Sequence, residues 1–91
     1  MSSVAQLLAD SLEAHSIDQV FCVPGESYIG LTSALVESEK VRIVVCRHEA
    51  GAAFMATADG RLQNRAGVVL VSRGPGLANG LVAIHSAYHD A

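Results

Sequence analysis

The chain has 91 residues, of which 51% are hydrophobic, 16% charged and 4% aromatic, and its formal net charge is −3 at pH 7. This composition excludes intrinsic disorder, a basic field for nucleic acid or anionic lipid, a bilayer span of ~20 apolar residues, and a disulfide scaffold or zinc site built from two distant cysteines. We therefore expect one small cytoplasmic domain at most, which binds neither nucleic acid nor membrane.

A helix and a strand are predicted at the start of the chain. Ser3 and Gln6 have the spacing of a capping box, which predicts that a helix begins there. A β-rich run over residues 19–23 follows, and Pro24 and Gly25 close it. The apolar residues of the helix recur on one face, namely Val4, Leu7, Leu8 and Leu12.

A second helix is expected over about residues 27–37 and a second strand over residues 41–46. Cys22 and Cys46 occur late in the two strands, where buried and unreactive thiols are expected. The residues that we expect this helix to turn inward are Tyr28, Leu31 and Leu35.

The third predicted helix, residues 49–62, is dense in alanine and glycine. We interpret Phe54 and Met55 as core or interface residues. A third strand over residues 67–72 and a last helix, with Pro75 in its first turn, complete the order. The apolar residues that share one side of the last helix are Leu77, Leu81, Ile84 and Tyr88.

The order α-β-α-β-α-β-α predicts a three-layer, doubly wound α/β fold. The second and third strands are nearly continuous apolar runs, which is typical of parallel strands covered on both faces. Each connection is long enough to hold a right-handed crossover helix. Three strands are few, since typical sheets have about five or six. We therefore expect residues 1–91 to be a fragment of a domain, or a chain whose sheet another chain completes.

Unusual residues follow all three predicted strands, at residues 23–27, 46–51 and 72–80. In open α/β sheets, ligands bind beyond the carboxyl ends of the strands. Glu49 opens the small-residue helix and is either a helix-start carboxylate favoured by the macrodipole or a catalytic carboxylate beside a ligand. The glycines of residues 74–80 match neither the dinucleotide fingerprint nor the Walker motif, and they form a tight turn or line a ligand.

Three motifs carry a resemblance: Val-Phe-x-Val-Pro-Gly at 20–25, Arg-His-Glu-x-Gly at 47–51, and Ser-x-Gly-Pro-Gly-x-x-Asn at 72–79. Together they resemble the pyrimidine-binding domain of thiamine-diphosphate enzymes, and most closely the acetolactate synthase group. The resemblance covers essentially the whole chain. It implies an α/β domain of about six strands, of which these residues hold the first three.

The resemblance implies that Glu49 is catalytic. Its carboxyl group would hydrogen-bond N1′ of the aminopyrimidine and so activate the cofactor for decarboxylation and carboligation of 2-keto acids. A carboxylic acid in a dry interface can keep its proton near neutral pH for such a bond. The cofactor-binding residues that the resemblance implies are Pro24, Gly25, Glu26, Glu49, Gly74, Gly76 and Asn79.

The resemblance also implies partners for the chain. In the family, Mg²⁺ and the diphosphate bind a separate domain through a Gly-Asp-Gly motif and a later Asn, which do not occur here. We expect no metal site in the chain itself, no activity of the chain alone, and a homo-oligomer, dimer or tetramer, whose second subunit supplies that domain. Ala50 and Arg73 depart from the usual pattern and leave the exact substrate open.

Two other functions stay open on the residues alone. The chain could be a non-catalytic nucleotide or phosphate-ligand binding module that uses residues 72–80. It could also be a partner subunit that completes a sheet with another chain, since an exposed apolar sheet edge favours pairing.

Overall fold

Helices and strands alternate along residues 3–89, which the computed structural model describes, in the order that the sequence predicts. The helices are α1 (Val4–Ala14), α2 (Ile29–Ser38), α3 (Glu49–Gln63) and α4 (Arg73–His89). The strands are β1 (Gln19–Cys22), β2 (Arg42–Val45) and β3 (Val69–Leu70). A 3₁₀ turn, Glu26–Tyr28, precedes α2.

The sheet is parallel throughout, with the order β2-β1-β3. Gln19 pairs with Arg42, and Phe21 pairs with both Val44 and Val69. Because β1 lies between β2 and β3, the connection from β1 to β2 and the connection from β2 to β3 run in opposite directions across the sheet. Because parallel crossovers share one hand, this reversal places α2 and α3 on opposite faces of the sheet. The predicted three-layer, doubly wound architecture is confirmed.

Two apolar clusters cover the two faces of the sheet. Alternate residues of β1 supply them, because side chains along a strand point to opposite faces. Val20 joins the cluster under α1 and α2, and Phe21 joins the cluster under α3. The first cluster contains Ala9, Ile17, Val20, Ala34, Leu35 and Val41, and the second contains Phe21, Ala52 and Ala56.

Helix α1 begins where predicted, but its expected apolar face does not form the core. The Ser3 hydroxyl accepts a hydrogen bond from the Gln6 backbone N–H at 3.1 Å. The Gln6 side chain bonds Asp10 instead of returning to Ser3, so only half of the capping box forms. Ala9 is the residue that α1 buries, and Leu12 packs beside it. The residues of the expected face that are exposed are Val4, Leu7 and Leu8.

Helix α2 confirms the predicted inward residues. Leu35 is buried in the core, Leu31 packs against the same cluster, and Tyr28 is partly buried. Val36 and Ile29 are exposed on the other side.

Strand β3 is shorter than the predicted residues 67–72. Only Val69 and Leu70 pair with β1. At the start of the predicted range, the Gly67 backbone packs on α3, and a Cβ atom at Gly67 would lie 1.9 Å from the Ala56 carbonyl oxygen. The chain therefore enters the sheet only after it has passed α3.

Helices α3 and α4 pack on one another through small residues. Helix α4 buries Gly76, Gly80 and Ala83. The large apolar residues on its other side, Leu77, Leu81, Ile84 and Tyr88, are exposed. Phe54 and Met55 of α3 are each 46% exposed, so they do not lie in the core of this chain, and the interface interpretation stays a prediction. Small residues allow close helix packing, and the large side chains are consequently left outside.

Candidate functional site

The carboxyl ends of the three strands meet at one edge of the parallel sheet. The loop after β1 leads to α2 on one face, while the loops after β2 and β3 lead to α3 and α4 on the other. Connections that diverge in this way create a crevice at the end of the sheet, where open α/β proteins bind ligands. The three unusual segments of the sequence therefore lie together.

Glu49 and Asn79 are in direct contact at this edge. Glu49 is the first residue of α3 and is partly buried, and Asn79 lies in the second turn of α4. The Asn79 amide nitrogen, Nδ2, donates a hydrogen bond of 3.1 Å to Glu49 Oε1. The contact joins the exits of β2 and β3 through two predicted site residues.

Two glycines let α4 approach α3 beside this pair. A Cβ atom on Gly76 would lie 3.4 Å from Glu49 Oε2. A Cβ atom on Gly80 would lie 3.8 Å from the Glu49 carbonyl oxygen and 3.9 Å from the Ala53 Cβ. Gly76 thus places no side chain next to the second carboxylate oxygen, while Gly80 only packs.

His48 fixes the backbone from which Glu49 projects. It is the N-cap residue of α3, with φ −145° and ψ 142°, and its Nδ1 accepts a hydrogen bond of 3.0 Å from the Ala50 N–H. An N-cap acceptor satisfies one of the free N–H groups of the first helical turn. This N-cap role could have been predicted from the sequence, because His48 is a polar residue between a strand and a helix that starts with Glu49.

The surroundings of Glu49 favour its ionised form. A hydrogen bond from its own backbone N–H, then the Asn79 amide, and then the charge of His48 lower the pKa of Glu49 below its ordinary value. The partial burial of Glu49 opposes this effect too weakly to reverse it. The expectation of an acid that keeps its proton near neutral pH applies to a dry interface around a ligand, and it stays a prediction.

The segment that follows β1 contacts the segment that follows β3. A Cβ atom on Gly25 would lie 2.3 Å from the Cβ of Ser72, so only glycine allows this approach. The hydroxyl groups of Ser27 and Ser72 share a hydrogen bond of 2.9 Å. Tyr28 donates a hydrogen bond from its hydroxyl to the Val23 carbonyl oxygen. Sequence reasoning identified Gly25 but missed the serine pair and the tyrosine.

The other predicted cofactor-binding residues lie around this contact. Pro24 and Gly25 line a groove of about 420 Å³ between α2 and the sheet, on the opposite face from α3. Glu26 is exposed in the 3₁₀ turn. Gly74 is exposed in α4, and a Cβ atom there would meet nothing within 4 Å. Glu49, Gly76 and Asn79 therefore form the compact part of the site.

Arg73 begins α4 with φ 59°, in the left-handed region that favours glycine. Its position in the third motif is one of the departures noted in the sequence. A side chain larger than glycine is held there at a cost of roughly 1–2 kcal/mol.

The thiols and histidines carry no reactive arrangement in residues 3–89. Burial, followed by the effect of Cys46, raises the pKa of Cys22, which agrees with an unreactive thiol. His85 and His89 are exposed, with ring centroids 4.4 Å apart. Within the described part of the chain, no three His, Cys, Asp or Glu side chains are grouped to hold a metal ion, and no helix is long and apolar enough to cross a membrane.

A charged network at the far end of α3 was missed by sequence reasoning. Asp59 is buried and accepts hydrogen bonds from Gln19 Nε2 at 2.7 Å and from Arg65 Nη2 at 3.0 Å. Arg65 also pairs with Asp18 at 2.7 Å. The spacing carries the signal, because Asp59 follows the buried Ala52 and Ala56 on the sheet-facing stripe of the helix.

Comparison with known proteins identifies the family. Residues 2–91 match the model of the thiamine pyrophosphate enzyme N-terminal TPP binding domain. The chain is 43% identical over 83 residues to the catabolic acetolactate synthase of Raoultella terrigena, and this match covers 91% of the chain. It is 44% identical over 75 residues to the acetolactate synthase of Bacillus subtilis, and this match covers 82% of the chain. The 2-hydroxyacyl-CoA lyase 2 of Xenopus laevis is 38% identical over 82 residues, which is 90% of the chain.

The chain belongs to the thiamine pyrophosphate enzyme family, as an N-terminal TPP binding domain of the acetolactate synthase-like type. The resemblance noted in the sequence is confirmed. The matched segment spans 15% of the Raoultella protein, 13% of the Bacillus protein and 12% of the Xenopus protein. Membership in the family implies thiamine diphosphate as the cofactor.

Proposed function

We propose that residues 1–91 are the N-terminal part of the pyrimidine-binding domain of a longer, cytoplasmic, acetolactate synthase-like enzyme. In this proposal Glu49 is the carboxylate that activates the aminopyrimidine of thiamine diphosphate. One observation carries the assignment: at the carboxyl edge of the sheet, Asn79 holds Glu49 Oε1 while Gly76 places no side chain beside Oε2.

The residues present suit the pyrimidine end of the cofactor. The backbone of α4 carries no side chain beside the Glu49 carboxylate at Gly76, where a Cβ atom would lie 3.4 Å from Oε2. Pro24 and Gly25 lie at the neighbouring exit of β1, and they add a surface without long side chains. Glu26 and Gly74 are exposed and complete the proposed lining.

When bound, thiamine diphosphate supplies the electron sink for decarboxylation of a 2-keto acid and for the carbon–carbon bond of carboligation. Oε2 of Glu49 would hydrogen-bond ring nitrogen N1′, while the Asn79 amide holds the other carboxylate oxygen.

The remaining parts of the active site are proposed to come from outside these residues. Residues 3–89 hold no cluster of metal ligands, so we assign Mg²⁺ and the diphosphate to another domain, supplied by a second subunit of a homo-oligomer. The chain alone is then inactive. The substrate is a 2-keto acid, and synthase and decarboxylase outcomes both fit the residues present.

The decisive experiment is Glu49→Gln in the intact enzyme, assayed for 2-keto acid decarboxylation and for the carboligation product. Loss of proton transfer predicts a fall in kcat of about 100- to 10,000-fold. Glu39→Gln is the matched control, since it makes the same change at an exposed residue after the end of α2 and should keep full activity. Full turnover in Glu49→Gln would overturn the proposal.

A binding experiment on the 91-residue chain separates this function from the phosphate-module alternative. Thiamine diphosphate and inorganic phosphate are titrated in turn, and the backbone amide NMR signals are followed. The proposal predicts that thiamine diphosphate perturbs Glu49 and Gly76. Perturbation by inorganic phosphate alone, confined to residues 72–80 and unaffected by Glu49→Gln, would favour the non-catalytic module.

A further inference from the structure

One oxygen of the Glu49 carboxylate, Oε1, accepts a hydrogen bond from a residue on another helix. Asn79 stands thirty positions later in the sequence, on α4, and its Nδ2 reaches Oε1 at 3.1 Å. A glutamate side chain has three rotatable bonds, so a free carboxylate would exchange its two oxygens by rotation. The bond from Asn79 makes the two oxygens inequivalent.

Packing fixes the place from which Asn79 reaches. Gly76 and Gly80 lie against Glu49 and Ala53, so that α4 sits close enough for a short amide side chain. The residue just before α4, Ser72, contacts Gly25 and Ser27 at the exit of β1. The Asn79 amide is therefore positioned by the fold and needs no ligand to bring it to Glu49.

We propose that Asn79 is a positioning residue, whose amide holds Oε1 of Glu49 so that Oε2 is the oxygen presented to the aminopyrimidine. This inference rests on the proposed function of Glu49. It assigns Asn79 a role exerted through Glu49, distinct from a direct contact with the cofactor.

The chemistry of an amide suits this role. A lysine at this position would form an ion pair and keep Glu49 permanently ionised, while an aspartate would repel it. A neutral donor steers the carboxylate and still lets it exchange a proton. The Asn79 bond is the second-largest effect that lowers the pKa of Glu49, after the hydrogen bond from the backbone of Glu49 itself. The other titratable groups coupled to Glu49 are His48, at the start of α3, and Tyr28, ahead of α2.

The first test reads the ionisation of Glu49 without cofactor or turnover. In the 91-residue chain with ¹³C-labelled glutamate, the side-chain carboxyl signal of Glu49 is followed against pH. Asn79→Ala should move its titration midpoint upward, because the stabilising bond is lost. Asn79→Asp should move it further upward, because a like charge is added.

Asn64→Asp is the matched control for the charge change. Asn64 lies at the opposite end of α3 from Glu49, about 20 Å away along the helix axis. At this distance salt screens the interaction, since the Debye length is about 10 Å at moderate ionic strength. The titration midpoint of Glu49 in the Asn64→Asp variant should therefore equal that in the wild-type chain.

The second test uses the intact enzyme with thiamine diphosphate. If Oε2 is no longer directed, Asn79→Ala should lower kcat by about 10- to 100-fold while the KM for the 2-keto acid changes little. In the profile of kcat against pH, the limb that reflects the ionisation of Glu49 should move to higher pH. Amide dispersion in the NMR spectrum verifies that each variant is folded, and Asn79→Gln keeps an amide donor should Asn79→Ala fail to fold.

The outcomes separate the two proposals. An unmoved Glu49 titration in Asn79→Ala and in Asn79→Asp overturns the positioning role, whatever the activity of Glu49→Gln. If the Asn79 variants shift the titration of Glu49 but the Glu49→Gln variant is fully active, the hydrogen bond between Asn79 and Glu49 is supported. The catalytic function of Glu49 is then overturned, and the positioning role of Asn79 is overturned with it.

Discussion

Gly25 and Ser72 are in contact across the exits of β1 and β3, although they stand far apart in the sequence. A Cβ atom on Gly25 would lie 2.3 Å from the Ser72 Cβ and 2.7 Å from its Oγ. The same Ser72 hydroxyl shares a hydrogen bond with Ser27. This close approach connects the Pro-Gly motif to the segment that leads into α4, and so to Asn79 and Glu49.

Substitution of Gly25 tests this contact. Gly25→Ala should lower the free energy of unfolding by about 1–3 kcal/mol, because the added methyl group must displace Ser72. Gly51→Ala is the control, since its Cβ would meet nothing within 4 Å, and alanine in a helix should leave stability unchanged or raise it by up to about 1 kcal/mol. Urea denaturation followed by circular dichroism measures both.

A compensating change makes the same prediction specific. Adding Ser72→Gly to Gly25→Ala removes the opposing Cβ and should recover part of the lost stability. A Gly25→Ala variant as stable as wild type would show that the two exits are not in contact in solution.

Removal of the buried carboxylate of Asp59 should lower the free energy of unfolding more than removal of the exposed carboxylate of Asp18. Asp59→Ala leaves the partly buried Gln19 amide without its acceptor and should lower the free energy of unfolding by about 1–3 kcal/mol. The Asp18 side chain is 74% exposed, so Asp18→Ala should stay close to wild type. Thermal denaturation ranks the two variants, and equal losses would contradict the assigned burial of Asp59.

The N-cap of α3 can be removed and restored. His48→Ala should lower the free energy of unfolding by about 1 kcal/mol, because the Ala50 N–H loses its acceptor. His48→Asn should retain stability, since asparagine is a preferred N-cap residue. Chemical denaturation of both variants checks this order, and an alanine variant as stable as the asparagine variant would exclude the cap.

The ionisation of Glu49 predicts a pH-dependent contribution to stability. Its pKa is lowered in the folded chain by its own backbone N–H, by Asn79 and by the charge of His48. The contribution is therefore complete above the unfolded pKa of about 4.3 and is lost as the pH falls through the folded pKa. The stability difference between wild type and Glu49→Gln should shrink below about pH 4.3, as measured by urea midpoints across that range. A difference that stays constant would show that Glu49 is not stabilised as a carboxylate.

The periodic segments made most of the fold predictable. The helix that starts after Ser3, the inward Leu35 and the parallel strands all follow from local spacing, because each burial pattern repeats with the period of its element. The apolar stripe of α1 did not indicate which residues are buried, because Val4, Leu7 and Leu8 are exposed. Periodicity shows which side chains share a face, but it does not show which face meets another layer.

The sequence by itself determined the order of elements, the two-faced parallel sheet, the three strand exits and Glu49 as the carboxylate of interest. Local propensity, hydrophobic period and motif spacing are properties of neighbouring residues, so they can be read from the chain. Only the tertiary structure decided that Asn79 bonds Glu49 and that Gly25 meets Ser72. Each of these relationships depends on how closely two elements approach one another. Small residues at the contact set that distance, and spacing along the chain does not encode it.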